Sequence, residues 1–270
     1  MFGMLEIGQG PAIVRKTRRW RKAKPEPADC SWDSALGASA MTVRVMYRED
    51  ESAGVRDEKL EKACRAFAGY SVRGVVVPKG FTRHDMLASY GLAAADPMAL
   101  YRRLAPRMID AVRRQTPFIA GVMAARVTPE VRETVYHLTR SVRYLFLRCP
   151  GGGEALAAEV RRDTGLTVFS APSDMALSSS EVLIVFDPVP ENGRSGSFAL
   201  PVRDSTTVLL LTRKLTGRGL RQPARIVCGA RLTPPPRLMP VWPASCDAGA
   251  LLMALYAQQA VMLEEIGIEL

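Results

Sequence analysis

Short apolar runs alternate with helical patterns along most of this chain, and this alternation restricts the fold more than any other feature. Five of the runs indicate strands: residues 41–47, 72–77, 117–124, 143–148 and 181–186. Between them lie segments whose apolar residues recur three and four positions apart, as in helices with one buried face. Strands that alternate with helices are joined by crossovers, which favours a parallel sheet covered by helices. We therefore predict an α/β fold.

A glycine-rich stretch follows the fourth of these strands and is the strongest local motif. Gly151, Gly152 and Gly153, which we call the glycine turn, stand between this strand and a helix predicted over residues 154–163. The segment resembles the first turn of Rossmann dinucleotide-binding domains, where glycines let the backbone approach a pyrophosphate at a helix N-terminus. The resemblance implies a site for NAD(P) or another nucleotide. Its cofactor-binding residues would be Gly151, Gly152, Gly153, Ser173 and Asp187.

The motif departs from the family pattern at three places. The third small position falls on Leu156, and the next strand ends in residues 169–173 without an acid for a ribose hydroxyl. Glu154 puts a negative charge at the helix start, which suits the helix dipole and disfavours a neighbouring phosphate. Two interpretations therefore stay open. The turn either holds a phosphate or only lets the chain reverse closely over the sheet.

The order of the parts resembles that of two-domain dehydrogenases such as the shikimate dehydrogenases. This resemblance implies a smaller α/β half over residues 41–140 and a Rossmann-like half over residues 141–270. In that family a lysine follows an N-terminal strand in a motif rich in Val, Thr and Pro, and Lys79 takes that position within residues 75–80. Lys79 and the nearby His84 are accordingly the candidate catalytic residues, His84 as an acid or base.

The sequence predicts different structures for the two ends of the chain. Residues 1–40 lack a sustained apolar period and include a run of arginines and lysines from Arg15 to Lys24, so we expect disorder. They are either a mobile tail or an over-extended start, with Met41 as the true first residue. At the other end, Asp247 is a predicted N-cap for a closing helix over residues 247–263, which should pack back on the sheet.

Composition excludes several other classes of protein. The net charge of +10 invites a nucleic-acid partner, but only Trp20 interrupts the basic run, so we do not expect nucleic-acid binding. Five cysteines without C-x-x-C spacing and two distant histidines predict neither disulfides nor a metal site. No apolar run is long enough for a membrane span. We predict a soluble, cytoplasmic protein whose oligomeric state the sequence does not specify.

Two functions from different classes are consistent with these patterns. The first is a Rossmann-like protein that binds a nucleotide or small anionic ligand at the glycine turn, with catalysis a separate question. The second is a non-catalytic structural or interaction protein that has the fold without the ligand. The glycine turn favours the first function, and the missing ribose acid favours the second.

Overall fold

The chain forms two compact units, each with a sheet of its own. A computed structural model describes residues 1–9, 29–113, 115–189, 200–213, 225–243 and 245–270. The first unit comprises Met1–Pro97 and Thr233–Gly267, and the second comprises Met98–Leu232 and Ile268–Leu270. This division differs from the predicted boundary between residues 140 and 141, because the strand over residues 117–124 joins the second sheet instead of the first.

The first unit is built on a five-stranded sheet. Its elements are β1 (Phe2–Gln9), β2 (Asp29–Asp33), β3 (Ala40–Tyr47), α1 (Ala53–Gly69), β4 (Gly74–Val76), α2 (His84–Ser89) and β5 (Ala93–Ala94). The strand order is β2-β3-β1-β4-β5, with β2 antiparallel to β3 and the other pairs parallel. Helix α1 packs on β3, and its buried face carries Leu60, Cys64 and Phe67. The predicted α/β character of this half is confirmed.

The expectation of disorder from residue 1 is wrong for two segments of the predicted tail. Strand β1 lies in the middle of the first sheet and pairs with β3 along its whole length, from Phe2 opposite Ala40 to Gln9 opposite Tyr47. Strand β2 forms the edge of the same sheet. The first half of β1 is buried on both faces, so it shows no alternation of apolar and polar residues to recognise. Residues 10–28, with the basic run, lie outside the described residues.

The second unit contains a six-stranded sheet. Its elements are α3 (Pro97–Arg103), α4 (Ala105–Val112), β6 (Phe118–Met123), α5 (Pro129–Leu138), β7 (Val142–Arg148), α6 (Gly153–Thr164), β8 (Val168–Ser170), α7 (Asp174–Leu177), β9 (Val182–Val185), β10 (Thr207–Leu210) and β11 (Arg225–Val227). Every pair in this sheet is parallel. Strands β9 and β10 are buried over their full length, as expected for strands covered on both faces.

The order of strands in the second sheet is that of a Rossmann fold. Read across the sheet it is β8-β7-β6-β9-β10-β11. In chain order within the unit this is third, second, first, fourth, fifth and sixth, the arrangement of doubly wound dinucleotide-binding domains. The predicted Rossmann-like sheet in the C-terminal half is therefore confirmed. The order reverses between β6 and β9, and this reversal marks the crevice where such sheets hold their ligands.

The C-terminal segment returns to the first unit. After β12 (Arg231–Thr233), helix α8 (Ala248–Ala257) starts at the predicted N-cap, where the Asp247 carboxylate accepts a hydrogen bond from the Ala250 amide at 2.9 Å. The helix ends at Ala257, short of residue 263, and the last strand is β13 (Gly267–Glu269). The expectation that this helix covers the Rossmann-like sheet is wrong, because it packs on β4. No helix among the described residues is long and apolar enough to cross a membrane.

Candidate functional site

The carboxyl edge of the second sheet is where a Rossmann fold holds its ligand, and the glycine turn lies on it. The turn follows β7, which is the second strand of the unit, whereas the Rossmann pyrophosphate turn follows the first. The prediction that the glycine turn is the first turn of a Rossmann domain is therefore wrong. The first strand is β6, and residues 124–128 after it contain no glycine. The sequence does not reveal this, since strand order depends on distant pairing.

Gly151 is required because two turns meet at it. A Cβ atom at this position would lie 2.8 Å from the Ala125 carbonyl oxygen and 2.8 Å from the Arg126 Cβ. The Gly151 amide donates to the Ala125 carbonyl at 3.0 Å, and the Val127 amide donates to the Gly151 carbonyl at 2.8 Å. The parallel pairing of β6 and β7 thus continues past the strand ends into their turns, and only glycine allows this approach.

The other two glycines shape the start of helix α6. Gly152 is its N-cap and has a φ of +92°, in the left-handed region that glycine enters at little steric cost. A turn of three glycines between a strand and a helix favours at least one left-handed residue, and Gly152 is that residue. Gly153 has no room for a side chain, since a Cβ there would lie 2.9 Å from the Cys149 Cβ.

The amides of the glycine turn are already bonded to the protein's own carbonyls. Besides the bond from Gly151, the Gly152 amide donates to Pro150 at 3.2 Å and the Gly153 amide to Cys149 at 2.9 Å. The next two amides, of Glu154 and Ala155 in the first turn of α6, have no backbone carbonyl partner within the described part of the chain. An anion at this helix end would therefore meet these two amides and not those of the glycines.

A cavity of about 450 Å³ opens beside this helix end, at the carboxyl ends of β7 and β8. We call it the Arg148 cavity. Its walls are Arg148, Cys149, Pro150, Gly152, Gly153, Glu154, Ala155, Ser170, Ala171, Pro172 and Val189. Ala171 has a φ of +51°, a left-handed conformation that costs free energy in a residue other than glycine. Strained residues of this kind concentrate at binding sites.

Arg148 is the charged residue of this cavity that sequence reasoning missed. The residue is 4% exposed, and its guanidinium donates to the Asp174 carboxylate at 2.6 Å and to the Pro172 carbonyl at 2.7 Å. These bonds fix the guanidinium and join the end of β7 to the segment after β8. The available signal was an arginine closing an apolar strand, where a buried charge needs a partner.

Asp187 and Ser173 stand close to the Arg148 cavity without lining it. Asp187 follows β9 at the point where the strand order reverses, and its carboxylate accepts a hydrogen bond from the Ala125 amide at 3.4 Å. An ion pair of 3.7 Å links it to Arg102. Ser173 is the N-cap of α7, where its hydroxyl accepts from the Ala176 amide at 3.2 Å. The cofactor-binding role of both residues stays a prediction.

Cys149 is a buried thiol at the end of β7. Burial raises its pKa more than a backbone hydrogen bond at Gly151 lowers it, and the charge of Asp187 raises it further. Since the thiolate is the reactive form, a raised pKa keeps this cysteine unreactive near neutral pH. All five cysteines are free, and the described residues contain no cluster able to hold a metal ion.

Lys79 and His84, the predicted catalytic residues, belong to the first unit. Lys79 lies three residues beyond β4, in the turn at the carboxyl end of that strand, and its side chain is exposed. His84 is the first residue of α2, also exposed, and its ring packs edge-on against Phe81 with the ring centres 5.4 Å apart. Neither position tests a catalytic role, which stays a prediction.

Comparison with known proteins finds similarity in structure and none in sequence. No family model matches this chain, and no curated protein matches it. A quinate dehydrogenase from Corynebacterium glutamicum in complex with NAD is similar over 98% of this chain and 95% of its own, at 12% identity and a TM-score of 0.39. A shikimate dehydrogenase from Aquifex aeolicus is similar over 97% of this chain and 95% of its own, at 12% identity and a TM-score of 0.33.

A further similar structure covers less of both chains. It is a Δ1-pyrroline-2-carboxylate reductase from Thermococcus litoralis in complex with NADH and L-proline, 15% identical over 45% of this chain and 40% of its own, with a TM-score of 0.34. Scores this low do not establish a shared fold by themselves. The Rossmann-like assignment of the second unit therefore rests on its strand order.

Proposed function

We propose that the second unit binds a nucleotide or another small anionic ligand in the Arg148 cavity, beside the glycine turn. One observation carries this proposal. The all-parallel sheet places the cavity on its carboxyl edge, where open α/β sheets bind their ligands. The cavity lies at the ends of β7 and β8, one strand from the reversal between β6 and β9. NAD(P) is one candidate among the nucleotides.

The size and polarity of the cavity support a ligand of this class. A volume of about 450 Å³ falls in the lower part of the range for small-molecule sites. The amides of Glu154 and Ala155, at the positive end of the helix dipole, suit an anionic group. The Glu154 carboxylate opposes that group, so a Glu154→Gln variant should bind an anionic ligand more tightly than the wild-type chain.

Thermal unfolding with a panel of mononucleotides, NAD, NADP and sugar phosphates tests the proposal. A ligand that binds only the folded chain raises the melting temperature, and at one hundred times its Kd it adds roughly 2.7 kcal/mol of stability. We expect at least one nucleotide to do so. If no member of the panel shifts the transition, the non-catalytic protein without a ligand becomes the better description.

Two exposed alanines of α6 give a matched pair of variants. Ala155 lines the Arg148 cavity, whereas Ala158, one turn further along, does not. Ala155→Trp fills the cavity and should abolish the nucleotide-induced shift, while Ala158→Trp should leave it unchanged. Equal shifts in both variants would place the ligand elsewhere. Lys79 and His84 belong to the first unit, so their predicted catalytic role is separate from this binding test.

A further inference from the structure

A second cavity opens in the first unit, at the carboxyl ends of β1 and β3. Its volume is about 350 Å³, and its walls are Ile7, Gly8, Gln9, Tyr47, Arg48, Glu49 and Arg56. We call it the Arg56 cavity. Gln9 and Tyr47 are neighbours in the parallel pairing of the two strands, so the cavity lies at the end of that pair. Two arginines face one glutamate among its walls, which leaves the cavity with a positive charge.

The Arg56 guanidinium is held in a fixed position. Its Nη2 atom donates to the carbonyls of Arg48 and Glu49, at 3.2 Å and 3.3 Å. The Arg56 Cζ atom also lies over the Tyr47 ring, 5.7 Å from the ring centre. A guanidinium fixed before a ligand arrives loses little freedom on binding, which favours affinity.

Donors in this cavity are left without acceptors. The Arg56 Nε atom is buried and has no hydrogen-bond partner within the described residues. The Arg48 guanidinium likewise forms no hydrogen bond or ion pair with the described part of the chain. It interacts electrostatically with the Glu51 carboxylate, which is itself bound to Lys59 at 2.6 Å. A buried N–H without an acceptor is unfavourable, so the Arg56 side chain is incompletely satisfied by the protein. The donors that an oxyanion in the cavity can reach are the Arg56 Nη1 atom, which has no partner within the described residues, and the Arg48 guanidinium.

We propose that the Arg56 cavity binds the phosphate group of a small molecule. The Arg48 guanidinium and the Arg56 Nη1 atom offer donors to several oxygens of one phosphate, which arginine provides better than lysine. Burial raises the pKa of the Tyr47 phenol, so its hydroxyl stays protonated as a further donor. A volume of about 350 Å³ suits free phosphate or a small phosphate monoester.

The test is isothermal titration of the full chain with inorganic phosphate and, separately, with glycerol phosphate. Arg48→Gln is the main variant, because the Arg48 guanidinium holds no other group in place and its removal should not disturb the fold. We expect this variant to weaken phosphate binding at least about tenfold, the effect of one lost charge-assisted hydrogen bond. Arg56→Lys, which keeps the charge and loses the fork, should weaken binding similarly.

A control variant of the first unit and the Ala155→Trp variant of the Arg148 cavity distinguish the possible outcomes. Arg65→Gln removes an exposed arginine from the same helix, away from the cavity, and should leave phosphate binding unchanged. Tighter binding of glycerol phosphate than of phosphate assigns a monoester as the ligand, and equal binding assigns free phosphate. Absence of binding, or unchanged binding in both Arg48→Gln and Arg56→Lys, overturns the inference. Phosphate binding lost only in Ala155→Trp would overturn it as well, while supporting the Arg148 cavity.

Discussion

Substitution of Gly151 by alanine tests whether the glycine turn is needed for the contact between two turns. The new Cβ would lie 2.8 Å from the Ala125 carbonyl oxygen, a distance that requires the backbone of one turn to move. Moving the turns apart breaks the bonds from Gly151 to Ala125 and from Val127 to Gly151. At about 0.5–1.5 kcal/mol for each bond, the free energy of unfolding should fall by about 1–3 kcal/mol.

Two measurements separate this cause from ordinary glycine strain. Urea denaturation followed by far-UV circular dichroism gives the free energy of unfolding, and native-state hydrogen exchange follows the Val127 amide. Gly165→Ala is the control, because Gly165 has a φ of +75° with no atom within 4 Å of its Cβ position. This control should lose about 1–2 kcal/mol from the left-handed backbone alone, with the Val127 amide still protected.

The exchange of one amide therefore decides the question. In Gly151→Ala the Val127 amide should exchange faster than global unfolding permits, because its acceptor has moved. A Gly151→Ala chain of wild-type stability, with Val127 protected as before, would show that the two turns do not depend on each other. The reasoning about the glycine turn would then be wrong.

Two further predictions concern the first unit. Deletion of residues 1–9 should unfold the first unit, because β1 lies between β3 and β4 and carries the buried Phe2, Met4 and Leu5. A near-UV circular dichroism spectrum unchanged by the deletion would contradict this prediction. Burial raises the pKa of the Cys64 thiol from about 9 to about 11. The folded state thus keeps the Cys64 proton to a higher pH than the unfolded chain does. The contribution of Cys64 to stability is therefore complete below about pH 9 and is lost as the pH rises to about 11. Urea midpoints should fall less over this range in Cys64→Ala than in the wild type, and equal falls would refute the assignment.

Local features of the sequence predicted most of the elements. The apolar runs, the Asp247 helix start and the glycines before α6 all correspond to elements of the structure. These signals depend on residues within a few positions of one another, since caps, turns and periodicity are set by the local backbone. The need for glycine between β7 and α6 was likewise visible in the sequence.

The structural features that were not predicted from the sequence are those that depend on contacts between distant residues. The first half of strand β1 is buried on both faces, so the place of β1 at the centre of the sheet has no local pattern in the sequence. The same holds for the assignment of α8 to β4 and for the rank of β7 as second strand of its sheet. Pairing between strands far apart in sequence decides these positions, and a strand of given composition fits several of them equally well.

The candidate sites divide in the same way. The sequence by itself determined that residues 151–153 form a turn before a helix, since only glycine enters the left-handed backbone at Gly152 without strain. Tertiary structure alone decided that Gly151 meets the turn after β6, that Arg148 is buried against Asp174, and that Arg48 and Arg56 line one cavity. Each of these contacts joins segments that the sheets bring together. Such contacts produce no periodic pattern in the sequence of the residues that form them.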